Sequence, residues 1–135
     1  MDTQFFSECT VDKGNRPPFL NKIDKPGNGL SPSMKAVQMW ALLRYLPLVI
    51  GHAVPEDDIH WLFLLDLCVI VDLVFAQCFT LGMISYLHEC ISDHLSDFKS
   101  LFGEVAKLRP KHHLLVHFPS IVLKNGPLVG TSCLR

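Results

Sequence analysis

The chain carries no CxxC pair, no P-loop, no GxGxxG turn, no GxSxG elbow and no HExxH. A zinc ribbon, a nucleotide cradle, a serine nucleophile and a zinc-protease helix therefore have no support, and the chain is read as noncatalytic. Its five cysteines (Cys9, Cys68, Cys78, Cys90, Cys133) are odd in number and widely spaced. That argues against a disulfide framework and for reduced thiols in a nuclear or cytoplasmic protein. No basic stretch leading into an apolar core opens the chain, so no secretory signal is read. Charge is also scarce, at 19% of residues against 49% apolar, and a net charge of −1 excludes a uniformly basic nucleic-acid binder. No strand pair, internal repeat or low-complexity tract stands out.

The charge that is present is unevenly placed. Residues 1–30 hold four acidic and four basic side chains, residues 31–103 eight and three, and residues 104–135 one and five. The middle is acidic and the end basic. A length of 135 residues suits one domain with its own core.

The periodicities predict an all-α fold. Residues 1–30 are rich in proline and glycine, without a sustained period, and read as a flexible or loosely docked tail before a single helical domain over 31–135. Three longer helices are expected at about 32–50, 56–77 and 80–102, and short ones at about 110–118 and 119–125. Ser31-Pro32 offers an N-cap and a proline at N1, and Pro47 predicts a kink and a stop by Gly51. The carboxylates of Glu56, Asp57 and Asp58 face the positive end of the next helix. Thr80 is a cap for the third, where Ile84, Leu87, Ile91, Leu95, Phe98 and Phe102 recur at three and four residues. Gly103 reads as its left-handed stop. Pro110 and Pro119 each read as the first residue of a short helix.

Residues 59–79 are almost wholly apolar, and two readings follow. One is a central packed helix; the alternative is a membrane-associated protein anchored through 61–79. Asp66 and Asp72, about 240° apart on a helix, argue for packing, since each costs about 3 kcal/mol at a bilayer centre.

Residues 109–127 concentrate the chemistry-bearing side chains. His113 and His117 are four apart, as are Cys90 and His94, so two antiparallel helices carrying them would offer zinc four ligands. The competing reading is histidines that pack and cap. Lys107, Arg109, Lys111 and Lys124 form the basic patch, either a sequence-blind contact for phosphates or a solvated face.

Several segments together resemble transposon-derived proteins of animal genomes. They are KAVQMWALLRYLPL (35–48), VPEDDIHW (54–61), IVDLVF (70–75), LRPKHHLLVHFP (108–119) and GPL (126–128). The region is distantly similar to the domain that follows the catalytic domain of CACTA-type (En/Spm) transposases. The resemblance implies work on DNA in the nucleus, with DNA or a transposase-like protein as partner and a contacting surface near 107–124. In similar sequences an aromatic-C-M-R-[FY]-E segment follows G-P-L. Here Ser132 replaces the aromatic residue and no glutamate follows, so no catalytic acid is carried over. The chain is accordingly expected to be a truncated fragment, marginally stable or self-associating through apolar surface around Val116, Ile121 and Leu123.

Overall fold

A computed structural model describes residues 35–128, which are helical with no strand among them. The elements are α1 (Ala36–Ile50), a 3-10 turn (Gly51–Ala53), α2 (Ile59–Val74), α3 (Leu81–Phe102) and α4 (Pro110–Asn125). They fall into two compact units, one ending at Ala53 and the other beginning at Val54. The tail over 1–30 and the Ser31-Pro32 cap lie outside the described residues.

In the first unit, α1 begins at Ala36, later than position 32, because Lys35 is extended at φ −66°, ψ 152°. Its backbone N–H donates to Gln38 Oε1 at 3.0 Å, so a side chain from the third helical residue sets the start. The helix stops by Gly51, as expected, and not at Pro47 itself. Three more residues follow it, and the Gly51 N–H donates to the Pro47 carbonyl. Arg44 lays its guanidinium 4.9 Å from the centre of the Trp40 ring and 5.8 Å from that of Tyr45. Such an exposed cation–π contact is worth about 0.5–1 kcal/mol.

The second unit is an up-down-up arrangement of α2, α3 and α4. Val74 at the end of α2 meets Leu87 near the start of α3, while Phe63 near the start of α2 meets Phe102 at the end of α3. The two helices are thus antiparallel. Helix α3 packs against both α2 and α4 and is the central element. Its stripe behaves as the spacing predicts, with Leu87 and Ile91 buried against Ile70 and Val74, and Leu95, Leu115 and Phe118 packed around them. The expectation that the apolar run over 59–79 forms the central helix is overturned. Helix α2 has α3 on one side only, so Ile59 and Leu62 stay exposed. Burial follows the number of packed neighbours, which average hydropathy does not report. Among the described residues no helix is long and apolar enough to cross a membrane. Helix α2 stops at Val74, short of residue 79.

Two caps define the helix starts. Asp58 Oδ1 accepts from the Trp61 N–H at 2.8 Å, and Thr80 Oγ1 from the Met83 N–H at 3.2 Å. Residues 55–57 form a turn before the first of these, with the Asp58 N–H donating to the Pro55 carbonyl, which moves the start of α2 from 56 to Ile59. Replacing either cap by alanine should cost about 1 kcal/mol. Urea unfolding of Asp58→Ala and Thr80→Ala, each with the slope of the wild type and a lower midpoint, checks this.

Two expectations about breakers fail. Gly103 is right-handed, φ −58° and ψ −28°, because the chain continues in tight turns, with the Val105 and Ala106 N–H groups both donating to the Phe102 carbonyl. Positive φ appears instead at Gly126, which closes α4 at φ 77°. Pro119 starts no new helix. It lies inside α4, buried, with Val122 also buried one turn on. A break at Pro119 would swing Val122 off the face that Leu115 and Phe118 present to α3, so packing outweighs the lost backbone bond.

Candidate functional site

The histidine-rich start of α4 divides between inside and outside. His112, the third helical residue, uses Nδ1 to accept the Arg109 N–H at 2.9 Å, so its ring proton sits on Nε2. The same ring lies 4.7 Å from Phe98 of α3. It belongs to a cluster in which Phe63 stacks on His94 at 4.1 Å and 13°, and meets Phe102 edge-on at 5.4 Å. This cluster ties the three helices together at one end of the unit. Phe63 does not stand out in the sequence, and His112 reads there only as one of the histidines interleaved in the basic patch. Phe63 precedes the buried Ile70 and Val74 by seven and eleven residues, a helical spacing that signals a shared face.

His113 and His117 point outward and bond to each other, Nε2 to Nε2, at 3.1 Å. One ring must donate and the other accept, so the pair is satisfied without a metal. Cys90 and His94 do not join them. Cys90 is packed against the core, and His94 lies against Phe63. Among the described residues there is no group of three or more His, Cys, Asp or Glu that could hold a metal ion. The four-ligand zinc set over Cys90, His94, His113 and His117 is therefore not assembled. Helix α4 turns His112 toward α3, which carries the next residue and its i+4 partner to solvent. Cys68, Cys78 and Cys90 are reduced thiols, and burial, helped by the Asp72 carboxylate, pushes the Cys68 thiol up.

The basic residues also divide. Lys107, Arg109 and Lys111 are exposed at the positive end of α4, and among the described residues none has an ion-pair partner. Lys124 sits in the last turn of that helix, thirteen residues beyond Lys111. That is about 20 Å along the axis and about 220° around it. It belongs to a different surface.

A second charged feature was not legible as a site. Glu89, Asp93 and Asp97 recur every four residues along α3, and α2 brings Asp66 to the same cleft. Val69 and Tyr86 add apolar and aromatic wall, and the cleft encloses about 330 Å³. A hydrogen bond with Cys90 is the main cause holding the exposed Tyr86 phenol above its ordinary value. His94 lines the cleft too, although only 7% of it is exposed. Its buried Nδ1 has no hydrogen-bond partner among the described residues. Burial lowers the His94 pKa, the Asp66 and Asp97 carboxylates oppose that, and His112 adds to it.

No family model matches this chain, and neither the curated proteins nor the solved structures contain a match.

Proposed function

We propose that this chain is a noncatalytic helical module that contacts the phosphate backbone of DNA through Lys107, Arg109 and Lys111. The observation that carries the reading is the charge arrangement. Three cations within five residues are solvent-exposed, without ion-pair partners among the described residues, beside the first turn of α4. The positive end of a helix dipole adds to their field. The resemblance to transposon-derived proteins favours DNA over other polyanions, and a nuclear location follows from it. A transposase-like protein is the companion partner that the same resemblance suggests. With no base-reading element in the arrangement, contact is sequence-blind.

Three neutralised phosphates give a log–log salt slope of about −2.7, so affinity should fall about 40-fold between 50 and 200 mM salt. Fluorescence anisotropy with a labelled duplex measures this. The Lys107→Gln, Arg109→Gln, Lys111→Gln variant should lose the slope, whereas Lys124→Gln should leave it nearly intact. Absence of binding at low salt, or equal binding by the triple variant, would sink the proposal.

A further inference from the structure

We propose that the cleft between α2 and α3 captures a lysine or arginine side chain presented by a basic peptide segment of a partner protein. Four carboxylates surround it. Asp66 stands on α2 opposite Glu89, Asp93 and Asp97 of α3. Acidic side chains alone would be an ordinary solvated face, but His94 makes this one different. The ring is more than nine-tenths buried, lines the cleft, and leaves Nδ1 without a partner among the described residues. A buried polar atom left unsatisfied costs about 1–3 kcal/mol. A donor that reaches Nδ1 from the cleft, with a small shift of its wall, offsets that cost.

The chemistry of that donor follows from the walls. In the neutral tautomer with its proton on Nε2, His94 Nδ1 accepts a hydrogen bond, and carboxylates accept and attract, so the occupant is a cation rich in N–H groups. A bare divalent ion does not fit, because among the described residues no three of these ligands converge on one point. Val69 and the Tyr86 ring supply surface for an aliphatic stem, and Tyr86 a face for the charge. A long stem ending in an ammonium or guanidinium matches both. The site is separate from the basic edge at Lys107–Lys111, which repels the same ligand.

The test uses the whole chain and a fluorescein-labelled octapeptide of alternating lysine and arginine, with its glutamine counterpart as control. Anisotropy at low salt should show binding of the cationic peptide alone. Asp66→Asn combined with Asp93→Asn should weaken it at least tenfold. Glu56→Gln combined with Asp57→Asn, the same change of charge on the exposed turn before α2, should stay within twofold of wild type. In the unaltered protein the His94 ring resonances should shift at saturation while those of His113 and His117 do not. Absent binding, an equal loss in the two charge pairs, or a still His94 signal overturns the proposal. Self-association of the chain that is abolished by the Asp66/Asp93 pair assigns the cleft to a second copy and overturns the partner reading.

Discussion

Leu87→Ala should lower folding stability by about 3–5 kcal/mol, the largest loss expected of any single truncation among the described residues. Among the described residues Leu87 is the one large side chain with no exposed surface, and it sits where α3 meets the Ile70–Val74 face of α2. Removing its terminal atoms takes away their transfer free energy and leaves a cavity that three packed helices close only in part. The core is small. Its fully buried cluster is Ile70, Val74, Leu87 and Ile91, so few other contacts remain to compensate. Domains of this size hold about 5–15 kcal/mol in all, so the loss is a large share of the total and the unfolding midpoint should fall sharply. Urea titration followed by far-ultraviolet circular dichroism gives the midpoint. Leu114→Ala is the control, since that side chain is 56% exposed and its loss should cost under about 0.5 kcal/mol. Similar losses in the two variants would mean that α3 does not hold the core.

His94→Phe is expected to act in the opposite direction, raising stability at pH 7 by about 1–3 kcal/mol. It keeps a ring against Phe63 and removes the buried nitrogen that has no partner among the described residues. The near-parallel stacking at 4.1 Å is less favourable for two phenyl rings than an edge-on contact, which places the gain toward the lower end. The pH dependence identifies the cause. Burial depresses the His94 pKa below its ordinary 6.5, against the pull of Asp66 on α2 and Asp97 on α3 and with the help of His112 on α4. Above 6.5 the ring is neutral folded and unfolded, and its full contribution is present. As pH falls below 6.5 the unfolded chain takes up the proton first, so stability declines until the folded ring also protonates. The difference between wild type and His94→Phe should therefore widen as pH drops from 7 toward 5. A constant difference across that range would place the ring in solvent. The same substitution removes the acceptor in the cleft, so the more stable variant should bind the cationic peptide less well, a trade of function for stability.

The local rules of the chain are legible where a side chain acts on its own backbone. Thr80 caps α3 as expected, and the three- and four-residue spacing from Leu87 to Ile91 marks a face that is indeed buried. Proline was the misleading signal. Pro47 and Pro119 each forfeit a hydrogen bond; α1 stops by Gly51 as expected, whereas the local reading that starts a new helix at Pro119 fails. Burial of Pro119 and Val122 keeps α4 continuous through the second. The histidines misled for a related reason. His113 and His117 share a face as their spacing requires, but a shared face says nothing about which neighbour stands opposite.

What the sequence by itself determined is the helical class, the cap at Thr80 and the core stripe of α3, all set by interactions within a few residues of the same segment. Only the tertiary structure decided that α3 and not α2 is central, and that His94 turns to Phe63 and away from His113 and His117. It also decided that Asp66 meets Glu89, Asp93 and Asp97 in one cleft. Those outcomes depend on the rotation of one helix against another, which the sum of many distant contacts sets and no local spacing encodes.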